Sequence, residues 1–188
     1  MFSFDTHPSV VKPGASLLSC HDLRVLLVDD NIINQQIASE LLECVGVVVE
    51  VAANGKIAVE RLLEVGAKFY DLVLMDVQMP EMDGHEATKL IRSYAMFTLL
   101  PIVAMTAHAL LIERERCMNS GMNAHIAKPI YPSELYQILV DWCPDKIVFS
   151  KETGGNALSR EDDYGMYVEG VDVRQGLKRT MGDHLLYL

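Results

Sequence analysis

An α/β fold, a parallel sheet covered by helices on both faces, is the class this sequence predicts, on three observations. From Leu23 onward, short apolar runs rich in Val, Ile and Leu recur along the chain. Each run precedes a stretch whose apolar residues return every three or four positions, the period of a helix packed on one side. The joints are short and carry Gly, Pro, Asn or Asp, and strands that alternate with helices in this way pair in parallel.

Taken in order, "RVLLV" runs into Asp29-Asp30 and suits a fully buried strand. Ile33, Ile37, Leu41 and Val45 recur every four residues, as on the buried stripe of a helix, and Gly46 stops it. "VVVEVA" is a second strand. Asn54-Gly55 is a turn and N-cap signal for a helix carrying Ile57, Ala58, Leu62 and Leu63, which Gly66 ends. "YDLVLM" is the third strand, "GHEATKLIRS" the third helix, and "LPIVAM" a fourth strand ending at Thr106. "ALLIERERCMNSG" is a helix stopped by Gly121, and "NAHIA" a short fifth strand before Lys128-Pro129. "PSELYQILVDWC" opens with Pro132 in its first turn and sets Leu135, Leu139 and Trp142 on a common face. The flavodoxin-like (βα)5 doubly wound sheet, strand order 2-1-3-4-5, is the usual solution at this size. In such sheets functional groups gather beyond the carboxyl ends of the strands, near the switch point beside the first.

Composition narrows the function classes. The chain has 188 residues, half of them hydrophobic, and a net charge of -10, so its surface repels nucleic acid and anionic lipid. Cys20, Cys44, Cys117 and Cys143 are far apart with no C-x-x-C, which fits small apolar residues in a reducing cytosol rather than a metal or disulfide framework. No window reaches the ~20 apolar residues of a membrane span, and the start lacks the pattern of a signal peptide. Direct membrane contact is therefore not expected from this segment, and a cytoplasmic location is.

The residues with chemistry all fall at strand ends: Asp29 and Asp30, Asp76, Thr106 and Lys128. If the sheet forms as described, they converge on one rim. Two carboxylates ~4 Å apart repel by roughly 4 kcal/mol at an effective dielectric of 20, so three together must protonate or bind a cation. One Lys offsets one charge, and few protein ligands with open water positions favour Mg2+. An ionised Asp76 can then act as a nucleophile toward phosphorus without a general base. Lys128 supplies a point charge, the Thr106 hydroxyl a donor, and backbone N–H groups around Gln78 and Ala107 further donors.

Each residue alone has a plainer reading. Asp30-Asn31 is an N-cap, Thr106 a strand end, Lys128 a solvated lysine and Asp76 a local turn acceptor. His85, His108 and His125 read as surface or half-buried residues without a catalytic role, and Met75, Met79 and Met82 as packing. Jointly these readings require four coincidences on one rim. A haloacid-dehalogenase-like phosphatase would carry D-x-D-x-T after the first strand, where this chain has "DDNII". A flavin-binding flavodoxin would need a neutral phosphate loop where two carboxylates stand.

In this order, "LLVDDN", "VLMDVQMPEMDG", "PIVAMTA" and "AHIAKP" resemble the receiver (response-regulator) domain of two-component signalling, over about Leu23 to Asp145. The resemblance carries the strand order with it. It implies a domain that phosphorylates itself from phosphohistidine rather than a turnover enzyme, with Asp76 as phosphoacceptor. Asp29, Asp30, Asp76 and the Gln78 carbonyl would hold Mg2+, or Mn2+ in its place. Thr106 matches the switch hydroxyl and Lys128 the lysine that contacts phosphate. At the switch position, three residues before Lys128, His125 stands where many members carry Tyr or Phe. Gln78 and His108, two residues beyond Asp76 and Thr106, match positions that tune phosphate lifetime. The implied partners are a histidine kinase, a histidine phosphotransfer domain, or both, with a homodimer as a further candidate. The alternative is a receiver-fold interaction module without a phosphorylation-driven switch.

The flanks divide as a linker at 1–22, the receiver at 23–145, a linker at 146–168, and a helical start at 169–188. "VDVRQGLKRTMGDHLLYL" resembles the beginning of a histidine phosphotransfer domain, with His184 too early to be its phosphorylated residue. "FSF" resembles the last strand of a histidine-kinase ATPase domain. Both imply a piece of a hybrid histidine kinase.

Overall fold

In "RVLLV", Val25 and Leu27 face one side of the sheet and Leu26 and Val28 the other, because strand side chains alternate. All four are fully buried, in two separate apolar clusters, so this strand carries helices on both faces. The structure is a computed structural model that describes residues 16–107, 111–151 and 166–168. The expected linker stretches 1–15 and 152–165, "FSF", His108, the first residues of the fourth helix and the helical start at 169–188 lie outside the described residues.

The elements are β1 (Ser16–Cys20), β2 (Arg24–Val28), α1 (Ile32–Glu43), β3 (Val48–Ala52), α2 (Gly55–Val65), β4 (Leu72–Asp76), α3 (Gly84–Ser93), β5 (Ile102–Thr106), α4 (Leu111–Asn119), β6 (Ala124–Ala127), α5 (Pro132–Trp142), β7 (Ile147–Lys151) and β8 (Met166–Val168). The main sheet is parallel with order β3-β2-β4-β5-β6. Numbered over its own five strands, that is the expected 2-1-3-4-5. Ala38 and Leu42 of α1 and Leu135 and Leu139 of α5 pack with Val25 and Leu27 on one face. Ala58 and Leu62 of α2 and Ala87 and Ile91 of α3 pack with Leu26 and Val28 on the other. Met75 is part of that second core, and Met79 and Met82 pack against it, as expected.

Local signals place the helix starts. The Asn31 side chain accepts from the Ile33 and Asn34 N–H groups, and Asn54 from Ile57. Asp83 and Glu86 form a capping box on α3. Each cap contributes about 1 kcal/mol and fixes where the preceding loop turns.

The buried stripe of α1 departs from expectation. Ile33 is 68% and Ile37 48% exposed, while Ala38, Leu42 and Val45 are buried. A row taken every four residues drifts by about 40° per step around a 3.6-residue helix, so a row that ends in the core at Val45 begins in solvent at Ile33.

The flanks also differ from expectation. β1 falls within the stretch read as a linker at 1–22, and β7 and β8 fall within 146–168. β1 pairs antiparallel with both in a second, three-stranded sheet. Leu18 and Cys20 are part of the core under α1 and α5, and Ile147 and Phe149 pack against it. The packed unit thus begins before Leu23 and continues past Asp145. Gly46 makes room for β1: it has φ +85°, and a Cβ there would lie 2.7 Å from the Cys20 carbonyl oxygen.

Candidate functional site

β2, β4, β5 and β6 end side by side, and their last residues or the next ones carry the polar groups. Asp29 follows β2, and its N–H donates to the Ala52 carbonyl, 3.2 Å away, which extends the ladder by one residue. Its side chain is 1% exposed. Asp29 Oδ1 accepts from the Asn31 N–H at 2.9 Å and from Asn34 Nδ2 at 3.2 Å. Gln35 Nε2 donates to the Asp29 carbonyl at 2.7 Å. The first turn of α1 therefore clamps Asp29 from two directions. Asp30 is exposed beside it.

Asp76 closes β4 and is nearly buried. Its Oδ1 accepts from the Gln78 N–H at 3.3 Å. The loop returns closely over the strand end: Gly84 N–H donates to the Val77 carbonyl at 3.1 Å, and a Cβ on Gly84 would collide with the Asp76 carbonyl. Thr106, buried, ends β5. Lys128 N–H donates to the Thr106 carbonyl at 2.8 Å, and the Lys128-Pro129 peptide is cis.

Lys128 joins the strands. Its Nζ lies 2.7 Å from Asp29 Oδ2 and 2.6 Å from Asp76 Oδ2. Asp29, Asp30 and Asp76 each offer a carboxylate oxygen, and these oxygens lie within 4.8 Å of one another. The structure thus brings together the three predicted carboxylates and the lysine, and puts Thr106 and the Gln78 backbone at the same rim. Asn31 performs the plainer capping role as well, so the N-cap and the acidic pair are adjacent residues with separate tasks.

Burial raises the Asp76 pKa above the usual carboxylate value, and the nearby Asp29 charge pushes the same way. The hydrogen bond and charge of Lys128 and the Gln78 N–H oppose it without cancelling it. For Lys128 burial acts to lower the pKa, but the hydrogen bonds and charges of Asp29 and Asp76 outweigh it and hold the ammonium protonated. Three carboxylates against one lysine leave excess negative charge in a poorly solvated place. Asp30 opens to solvent, so the donor set fits a hard divalent cation that keeps several waters.

His125 lies in β6 opposite Ala104 of β5, half-buried. Burial lowers its pKa, with a smaller push from Arg114 on α4. His85, read as a surface or half-buried residue, is buried and bonded to Glu113 and Ser120. The clamps on Asp29 from Asn34 and Gln35 were also missed. Their signal was a first helical turn of amides where an exposed helix usually carries acids.

Comparison with known proteins shows the family. The family model of the response regulator receiver domain matches residues 25–140, and the chain belongs to that family. The sensor histidine kinase GacS of Pseudomonas protegens is 36% identical over 168 residues, 88% of this chain and 18% of that protein. The osmosensing histidine protein kinase SLN1 of Saccharomyces cerevisiae is 38% identical over 124 residues, 64% of this chain and 10% of that protein. The chain thus spans less than a fifth of these relatives. Among solved structures, the receiver domain of sensor histidine kinase PA1611 from Pseudomonas aeruginosa is 39% identical with a TM-score of 0.59, covering 64% of this chain and 96% of that one. That structure has a magnesium ion coordinated in its active site cleft. A second match, with TM-score 0.61 and 30% identity over 66% of this chain and 91% of the other, is to the co-crystal structure of the S. cerevisiae histidine phosphotransfer protein Ypd1 and the receiver domain of Ssk1. Among the described residues, no helix is long and apolar enough to cross a membrane.

Proposed function

We propose that this receiver takes a phosphoryl group from a phosphohistidine onto Asp76. The observation that supports it best is the double contact of Lys128 with Asp29 and Asp76, which ties residues distant in sequence into one acidic rim. An Asp76 carboxylate oxygen attacks phosphorus, the P–O bond forms, the P–N bond to the donor imidazole breaks, and the freed imidazole takes a proton from water. Asp29, Asp30, Asp76 and the Gln78 carbonyl would hold Mg2+ (or Mn2+), which when bound neutralises phosphate charge. Lys128 stays charged beside the acceptor, and the Thr106 hydroxyl and nearby backbone N–H groups receive the phosphoryl oxygens. Gln78 and His108 stand where the lifetime of the acyl phosphate is tuned.

The donor we propose is a histidine phosphotransfer domain, a partner the Ypd1 complex illustrates for a relative. Its docking surface is the outward face of α1, where Ile32 (75% exposed), Ile33 and Ile37 form an apolar strip beginning two residues after Asp30. The parent is a hybrid histidine kinase, in keeping with the histidine kinases named above, and the segment works in the cytoplasm. Residues 1–15 and 169–188, beyond the strands that pack on this receiver, would then connect it to a kinase and a phosphotransfer domain. A second reading keeps the acceptor and drops the switch, because His125 replaces the usual aromatic side chain. Its neutral, planar imidazole favours the switch reading. Mixing the protein with a phosphorylated phosphotransfer domain tests the proposal: label should leave the donor and appear on Asp76, and donor label that persists with Mg2+ present counts against it.

A further inference from the structure

A second cluster of metal-ligating side chains lies between α3 and α4, apart from the acidic rim. His85, at the start of α3, and Glu113 and Cys117, one turn apart on α4, place Nε2, a carboxylate oxygen and Sγ within 4.8 Å of one another. His85 Nε2 is 3.2 Å from Glu113 Oε1. Two ligands each about 2.0–2.2 Å from a tetrahedral zinc ion are roughly 3.3–3.6 Å apart, so the pair would open by only a few tenths of an ångström to admit one.

The Ser120 hydroxyl lies 2.7 Å from the Cys117 carbonyl and 3.2 Å from His85 Nδ1. When the hydroxyl donates to the carbonyl, its oxygen accepts from Nδ1–H, and Nε2 turns a lone pair toward the Glu113 carboxylate. When it donates to Nδ1 instead, Nε2–H bonds Glu113 directly. A metal ion between His85 and Glu113 selects the first arrangement and also gives the buried thiol of Cys117 a role. A ligating histidine ordinarily donates its other N–H to an oxygen that fixes the ring, and Ser120 supplies that support here.

We propose that His85, Glu113 and Cys117 form a binding site for a borderline divalent metal ion of the zinc type. The mixture of thiolate, imidazole and one carboxylate selects such an ion over Mg2+. His85 and Glu113 also line the open cleft that holds Asp30 and Gln78, so the ion has a route in and a water can fill a fourth position. Binding replaces the S–H bond of Cys117 by an S–metal bond and releases that proton to solvent. Arg116 Nη1 forms an ion pair with the other carboxylate oxygen of Glu113, 3.6 Å from Oε2. Because the ion would bridge α3 to α4, it would restrain α4 in the same cleft where phosphorylation takes place. This inference does not rest on the proposed phosphoacceptor role.

The test is titration of untagged protein with Zn2+ and, separately, Co2+, in excess Mg2+ so that the acidic rim is occupied. One equivalent should bind. The Co2+ complex should show thiolate-to-metal absorption that persists in Cys44→Ser, which removes the exposed cysteine. Cys117→Ser should abolish that absorption, and His85→Gln and Ser120→Ala should each weaken Zn2+ binding by about tenfold or more. Unfolding curves of each variant show whether it is folded under the titration conditions. Absence of a stoichiometric Zn2+ site, or a site of unchanged affinity in folded Cys117→Ser and His85→Gln, overturns the proposal.

Discussion

Lys128 Nζ stands 2.6 Å from the Asp76 carboxylate and is held there by Asp29, its second partner at 2.7 Å. One ammonium thus screens two buried carboxylates from each other. Lys128→Met removes it at nearly constant length and leaves both carboxylates uncompensated. Without divalent cation, urea unfolding should show a loss of about 3 kcal/mol. Millimolar Mg2+ should restore part of that loss, because a cation can take over the screening. Wild-type stability in the presence of a chelator would contradict this role.

Asp76→Asn should be more stable than wild type at neutral pH. Burial raises the folded-state pKa of Asp76 above its unfolded value, so the folded state binds the extra proton. Stability therefore falls as pH rises from near 4, the unfolded value, through the folded pKa. The Asn variant escapes that loss, and Lys128 retains Asp29. The gain should be about 1 kcal/mol or more at pH 7 without Mg2+, and should vanish near pH 3. Denaturation midpoints across that range check both ends.

Magnesium should stabilise the protein by mass action. At a concentration a hundred times the dissociation constant the gain is about 2.7 kcal/mol. Asp30→Asn removes an exposed carboxylate that does not bond Lys128, so its fold should stay intact while the Mg2+-dependent gain falls sharply. Thermal unfolding with and without Mg2+ measures it.

Transfer from a protein donor should depend on α1, and transfer from a small donor should not. Ile33→Asp or Ile37→Asp places charge on an exposed strip away from the core. Either variant should slow phosphotransfer from a phosphotransfer domain by tenfold or more, about 1.4 kcal/mol of lost docking. Phosphorylation by a small phosphodonor should proceed at the wild-type rate, as followed by mass.

The alternation of apolar runs and helical periods was sufficient to place β2 to β6 and all five helices, most clearly where β2, β4 and β5 are buried on both faces. The acidic rim was legible for a related reason: strands of one direction bring their carboxyl ends together, so Asp29, Asp76, Thr106 and Lys128 could be grouped without coordinates. β1 and β7 were not legible. They are no shorter than the legible strands, but the two pair antiparallel across a sequence separation that contains the whole main sheet, which no local period records. Arg92 was missed as well. Its guanidinium donates to the carbonyls of Phe97, Leu100 and Gly121 and to Asn123 Oδ1, tying the end of α3 to the segment before β5 and the loop before β6. A charged residue at the end of an amphipathic helix looks solvated in sequence, and only the tertiary fold closes four acceptors around it. The exposure of Ile33 and Ile37 was hidden because apolar residues on an exposed helix face share their signature with those that serve a core.

The central claim is that Asp76 accepts phosphate, and intact mass tests it most directly. The protein is incubated with Mg2+ and a small phosphodonor such as acetyl phosphate, then weighed, with Asp76→Asn alongside. One added phosphoryl group in the wild type and none in the variant is the predicted result. No gain in the wild type, or a gain that survives the substitution, would contradict it.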